Sequence, residues 1–184
     1  MRNLLLLLLV VTPLHAADEC GGERLAINVD ASVVSFTVTQ GDSPFSGEFR
    51  SFGGLVCRDE SGLSRVDVWL DPASVDSGLP EVDDLLVTPA FFRIDEHPRV
   101  TFSSRNIRRK GMLVEATGEL AINGIVRNRS VEFRFGEQGD GRWQAKGRFT
   151  LPRLAYELGT GEWDNTDYLA NEVVIEFDAV LESE

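Results

Sequence analysis

Apolar and polar residues alternate along most of the chain. The alternation is clearest in residues 34–39, 65–70, 100–103, 131–135 and 173–180. A period of two is typical of a β-strand with one buried and one solvated face, as in antiparallel sheets. Less regular strands are predicted near 24–29, 45–57, 112–122 and 142–151. The pattern therefore predicts eight or nine strands and an all-β fold.

Turn sequences separate these strands at fairly regular spacing, at 41–44, 59–62, 110–111, 123–124 and 139–141. Asn123-Gly124 between apolar pairs predicts a tight two-residue hairpin. Regularly spaced strands with such turns favour a barrel or a sandwich formed by one domain. A barrel of eight strands has either a packed core or room for a single ligand, and composition alone does not decide between the two.

Two segments depart from the alternation. Pro80 followed by acidic residues suits the first turn of a helix, and Pro89 ends that helix. Phe91 and Phe92 come next, so we expect a short helix and two large apolar side chains to close one end of the barrel. The second segment, residues 152–171, is too long for a tight turn, and long ordered loops are often functional.

The N-terminus has the pattern of a secretory signal peptide. Arg2 precedes an apolar run at 4–11, and small residues follow. The run is much shorter than the ~20 residues of a membrane-spanning helix. We expect a signal peptide at 1–16, cleaved after Ala16 with Ala17 as the alternative, and a mature domain at 17–184. This predicts export to the periplasm; an uncleaved interfacial anchor is the other interpretation.

The two cysteines, Cys20 and Cys57, are an even number in a chain predicted to be exported. That favours a disulfide between them, with two free thiols as the alternative. The formal charge of −12 argues against a nucleic-acid partner, because phosphate binding needs clustered cations. The basic residues at 105–110 are interpreted as a solvated turn.

Little in the sequence predicts catalysis. His97 is the single histidine after the predicted cleavage site. One histidine and an oxidised cysteine pair are too few for a zinc or copper site, and a Ser-His-Asp arrangement would depend on His97 alone. We therefore expect no enzyme activity, no metal and no cofactor.

The order of several motifs resembles the YceI family of bacterial periplasmic, lipocalin-like lipid-binding proteins. The similar segments are VSFTV at 34–38, GEF at 47–49, FGG at 52–54, DPASVDSG at 71–78, HPRVTFSS at 97–104, GELAINGI at 118–125 and NEV at 171–173. They cover nearly the whole mature chain in the family's order. The motifs are specific jointly rather than singly.

The resemblance implies an extended antiparallel barrel of about eight strands, capped at one end by the short helix. It also implies an amphiphilic ligand, a polyisoprenoid or an isoprenoid quinone, in a long apolar tunnel. The chain departs from the family at Gln40, where a histidine is frequent, and at 82–86, where an Arg-Asp-x-His-Leu pattern is frequent. These departures concern the groups expected to meet the ligand headgroup.

Inward-facing apolar positions are the expected ligand contacts. The predicted tunnel residues are Phe36, Val38, Phe49, Phe91, Phe92, Phe102, Leu120, Ile122, Phe133, Phe149 and Phe177. The predicted rim and headgroup residues are Gln40, Trp69, Asp83, Trp143, Tyr156 and Trp163. Two alternatives are a packed interaction module, monomer or homodimer, that serves a membrane electron-transfer protein, and an enzyme of lipid or quinone metabolism.

Overall fold

The computed structural model describes residues 20–184, so the predicted signal peptide lies outside the described residues. Sheet dominates this part of the chain, and the predicted all-β class is confirmed. The elements are β1 (Glu23–Gln40), β2 (Ser43–Phe49), β3 (Phe52–Asp59), β4 (Gly62–Leu70), β5 (Val75–Asp76), α1 (Pro80–Leu86), β6 (Val100–Lys110), β7 (Leu113–Ile122), β8 (Ile125–Glu137), β9 (Trp143–Pro152) and β10 (Leu169–Ser183).

Eight of these strands close into an antiparallel barrel. Around it they follow the order β1-β3-β4-β6-β7-β8-β9-β10, and β10 pairs back with β1 from Leu25↔Ser183 to Gln40↔Leu169. β2 pairs with the second half of β1, and the two-residue β5 pairs with β2. Each of the eight strands therefore pairs with a neighbour on both sides, and this closure confirms the predicted lipocalin-like barrel.

β1 joins two strands that the alternation predicts separately. It runs unbroken through residues 24–29 and 34–39. Its pairing with β10 moves from Asn28↔Val180 to Val33↔Asp178, so β1 bulges by several residues between the two halves. The bulge interrupts the period of two, because each extra residue changes the face to which the following side chains point.

The two ends of the barrel differ. The hairpin end holds the β3–β4, β6–β7 and β8–β9 turns together with Glu23 and Ser183. The helix end holds the β1–β2 and β7–β8 turns, the 71–99 segment with α1, and the 153–168 loop. Asn123 and Gly124 form the predicted β7–β8 hairpin, with φ of 53° and 72°, and these left-handed values explain the Asn-Gly pair.

α1 starts at Pro80 and ends at Leu86, as the two prolines predict. Turns at 88–97, rather than further helix, follow α1. No helix in residues 20–184 has the length and apolar character needed to cross a membrane.

The predicted disulfide is confirmed. Cys20 and Cys57 are bonded, with their Cα atoms 5.4 Å apart, and Cys57 is fully buried. The bond fastens the start of the described chain to β3 at the hairpin end.

Candidate functional site

The interior of the barrel contains a cavity of about 280 Å³. Its wall is almost entirely apolar, and side chains from all eight barrel strands contribute. An engineered apolar cavity of roughly 150 Å³ stays dry and accepts small hydrocarbons. This larger cavity is therefore suited to an apolar guest.

The cavity is long. Leu169 and Leu181, near opposite ends of β10, both line it. At about 3.3 Å per residue, they are separated by about 40 Å of strand. The shape therefore suits an extended chain better than a compact ring system.

Ten of the eleven predicted tunnel residues line this cavity. Ile122 does not. It packs in the buried cluster of Leu120, Leu151, Tyr156 and Leu158. Alternation predicts an inward-facing Ile122, but it does not predict that residues of the 153–168 loop cover this side chain and keep it from lining the cavity.

Pairs of aromatic rings lie at both ends of the barrel. At the hairpin end Phe135 stacks on Trp143, with ring centroids 4.9 Å apart, and the Arg58 guanidinium lies 4.1 Å from the Trp143 ring centroid. At the helix end Phe91 packs against Trp163, with ring centroids 5.8 Å apart. Trp143 and Trp163, both predicted at a rim, thus lie at opposite ends of the barrel.

The polar groups predicted to meet a headgroup are engaged in local hydrogen bonds. The Gln40 amide donates to the Tyr168 hydroxyl at 2.8 Å. Asp83 Oδ1 accepts a hydrogen bond from the Ser77 backbone amide at 2.9 Å. Both contacts hold turns at the helix end in place.

Trp69 borders the cavity at the wall rather than at an end turn. Its indole lies against Gly53, where a Cβ would come within 3.1 Å of the ring, and the Arg99 guanidinium lies 4.3 Å from its centroid. Because Gly53 has no side chain, the Trp69 indole can pack against its backbone.

Tyr156, predicted at the rim, is fully buried. The rim prediction for this residue is wrong, because the 153–168 loop folds inward and packs the ring against Leu120 and Leu151. The Asn123 side-chain amide donates to the Tyr156 carbonyl at 3.1 Å and to the Phe91 carbonyl at 2.6 Å. One buried amide thus joins two segments of the helix end.

Tyr156 lies at a gap in the wall. β8 pairs with β9 only from Phe133↔Gly147 to Glu137↔Trp143. Residues 125–132 of β8 and 148–152 of β9 are therefore unpaired with each other. Gly147 lies where the two strands separate. It makes room for Phe177, because a Cβ on Gly147 would come within 2.6 Å of the Phe177 ring. We call this unpaired stretch the seam.

Two arginine side chains of β8 reach the 153–168 loop across the seam. Arg127 Nε donates to the Ala155 carbonyl at 2.9 Å, and Arg129 Nε donates to the Tyr156 hydroxyl at 3.3 Å. Sequence reasoning missed both arginines. The available signal was their spacing. Residues 127 and 129 are separated from Val131 and Phe133 by even numbers of positions, so they are expected on the same inward face of β8, where an apolar residue is usual.

Arg153 is a second residue that sequence reasoning missed. Its side chain lines the cavity and is 2% exposed. Its guanidinium donates five hydrogen bonds of 2.7–3.0 Å to backbone carbonyls and none to a carboxylate. Burial lowers the pKa of Arg153 from its usual value, and Asp164 opposes that shift. The carbonyls belong to Leu158, Gly159, Trp163, Leu169 and Ala170.

Comparison with known proteins adds a family match. Residues 25–181 match the YceI-like domain. The Protein YceI sequences of Salmonella arizonae and Salmonella newport are 32% and 31% identical to this chain over 102 residues, which cover 54% of this chain and 53% of each relative. The match thus spans about half the length of these curated relatives.

Solved structures share the fold over a larger part of the chain. Burkholderia cenocepacia BcnA is 29% identical, with a TM-score of 0.80 over 84% of this chain and 98% of that chain. A polyisoprenoid binding domain from Saccharophagus degradans is 13% identical, with a TM-score of 0.73 over 87% of this chain and 98% of that chain. At that identity the second likeness shows the fold alone.

Proposed function

The chain belongs to the YceI-like domain family, and from this we propose that its barrel binds a long-chain isoprenoid lipid for sequestration or transport. The observation that carries the proposal is the long apolar cavity. The Saccharophagus degradans domain, which shares the fold, is described as polyisoprenoid binding. We propose binding rather than catalysis as the activity.

The energetics favour a long tail. Each buried methylene contributes about 0.8 kcal/mol, while association costs roughly 4–15 kcal/mol. Tight binding therefore requires more than about ten buried carbons. A polyprenyl chain or the tail of an isoprenoid quinone meets this requirement, and a short acyl chain does not.

The rival hypothesis, a surface interaction module, requires a packed interior. The cavity argues against it. Transport between membranes also fits an exported protein, and a disulfide is typical of oxidising compartments such as the periplasm. Intact mass measurement of protein from a periplasmic fraction tests export and cleavage after Ala16.

Mass spectrometry of organic extracts tests the function directly. The mature protein, purified without detergent, should yield one polyprenyl or quinone species at near-stoichiometric amount. Lipid-free protein should then take up a polyprenol added in solution. A clean extract together with no uptake would rule out a lipid carrier.

A pair of adjacent substitutions tests the location. Ile175 lines the cavity, and Glu176 is exposed on the outer face of the same strand. Ile175→Trp should displace lipid by filling the cavity, whereas Glu176→Trp should leave the bound amount unchanged. Equal lipid content in both variants, with thermal unfolding showing that both are folded, would place the lipid elsewhere.

A further inference from the structure

The arginines of the seam form no ion pair with a carboxylate of residues 20–184. The guanidinium carbons of Arg127 and Arg129 lie 5.8 and 6.0 Å from the Tyr156 ring centroid. Within residues 20–184, neither arginine has a carboxylate oxygen within 4.0 Å. Arg153, at the base of the same loop, also lacks a carboxylate hydrogen-bond partner. Three cations thus converge on one loop of a chain whose formal charge is −12.

Arg129 has an unused hydrogen-bond donor. Its Nε donates to the Tyr156 hydroxyl, but Nη2 is buried and has no partner. Leaving a buried donor unsatisfied is unfavourable, and more so when the donor is charged. An unsatisfied buried donor of this kind is expected where a bound ligand supplies the missing hydrogen-bond acceptor.

The seam adjoins the cavity. Val131 on β8 and Leu151 on β9 lie on its two sides, and both line the cavity. A lipid tail in the cavity can therefore present its headgroup at this gap, where no strand-to-strand hydrogen bonds close the wall.

We infer that Arg127 and Arg129 bind a phosphate-type anion at the seam, carried as the headgroup of the isoprenoid whose tail fills the cavity. The inference rests on the proposed function. The planar guanidinium matches phosphate oxygens in geometry and charge, whereas an alcohol or a quinone would leave both charges unneutralised. The net negative charge of the chain disfavours anions over most of its surface, so the arginine pair provides local attraction.

The test compares two ligands with the same tail. Lipid-free protein is titrated with geranylgeranyl phosphate and with geranylgeraniol, and inorganic phosphate serves as a third probe. We expect the prenyl phosphate to bind at least about tenfold more tightly than the alcohol, because only the phosphate forms charge-assisted hydrogen bonds with the two guanidinium groups. The preference should weaken at high salt, since the Arg127 side chain is exposed.

Arg127→Gln and Arg129→Gln should each reduce that preference to less than about threefold. Arg134→Gln, an exposed arginine on the outer face of the same strand, should retain it. Unchanged affinity for the alcohol shows that a variant is folded. If Arg129→Gln alters the packing of Tyr156, Arg127→Gln still provides the test, because residue 127 is exposed.

Three results would overturn the inference, and they are distinguishable. Equal affinity for alcohol and phosphate in the wild type would remove the anion site and leave lipid binding intact. Tight binding of inorganic phosphate, equal to that of the prenyl phosphate, would assign the site to a free anion. Failure of both prenyl ligands to bind would reject the proposed function itself.

Discussion

Arg153 Nη2 donates to the backbone carbonyl of Leu169 at 2.7 Å, which connects the end of β9 to the start of β10. Its other hydrogen bonds reach three carbonyls of the 153–168 loop, those of Leu158, Gly159 and Trp163, and the Ala170 carbonyl in β10. Backbone carbonyls therefore accept every hydrogen bond of the buried charge, and Asp164 adds electrostatic attraction. The arrangement holds the 153–168 loop folded inward, with Tyr156 in the seam.

Arg153→Met should lower the free energy of unfolding by about 3–5 kcal/mol, because five carbonyl acceptors lose their donor and most of them are buried. Urea unfolding monitored by fluorescence measures the change. Arg134→Met, at an exposed position, should change the free energy by less than about 0.5 kcal/mol. Similar losses in the two variants would show that the carbonyl contacts contribute little to stability.

The disulfide should stabilise the barrel by up to about 4 kcal/mol on the loop-entropy model, since Cys20 and Cys57 are 37 residues apart in sequence. Thermal unfolding with and without reductant measures the effect. Cys57 is fully buried, so reduction should require partial unfolding. A variant with both cysteines replaced by serine should melt at the lower temperature with or without reductant, and a shift on reduction in that variant would point to another cause.

The fold could be predicted largely from the sequence, because closed antiparallel strands repeat one signal. Phe133 and its neighbours on β8 keep the period of two, and the Asn123-Gly124 pair fixes its turn by backbone conformation alone. The bulge in β1 could not be predicted, since its position depends on the pairing with β10.

The site was predictable where it is made by strands and unpredictable where it is made by the loop. Phe36 and Phe177 follow from alternation. Tyr156 and Arg153 do not, because a loop residue has no periodic neighbours to assign its face. Their positions depend on long-range contacts: Tyr156 enters a gap left by two strands that separate, and Arg153 bonds carbonyls up to 17 residues away.

Acid should destabilise the protein partly through Asp67. Burial raises the pKa of its carboxyl, but hydrogen bonds from Ser103 and Arg65 outweigh burial and hold the pKa below its usual value of 3.8. A lowered pKa in the folded state adds stability above pH 4, and this stability is lost as the pH falls through the folded pKa. Asp67→Asn should therefore lose less stability than the wild type between pH 6 and pH 2, by about 1 kcal/mol.

Thermal unfolding across that pH range measures the difference. Asp42→Asn, at the exposed β1–β2 turn, is the matched control and should follow the wild-type curve. A parallel acid response in Asp67→Asn and the wild type would show that the Ser103 and Arg65 contacts have no net effect on stability.

The hairpin end should set the maximum tail length. Ala145 lines the cavity beside the stacked rings of Phe135 and Trp143. Ala145→Leu adds about three methylene-sized groups there and should weaken binding of the longest prenols several-fold, at about 0.8 kcal/mol for each displaced carbon. Farnesol, which leaves that end empty, should bind to the variant as it binds to the wild type.

Titration with prenols of increasing length measures this effect, and Thr150→Leu, on the exposed face of the same strand, is the control. Uniform weakening at every length would mean that Ala145 does not lie at the far end of the tail.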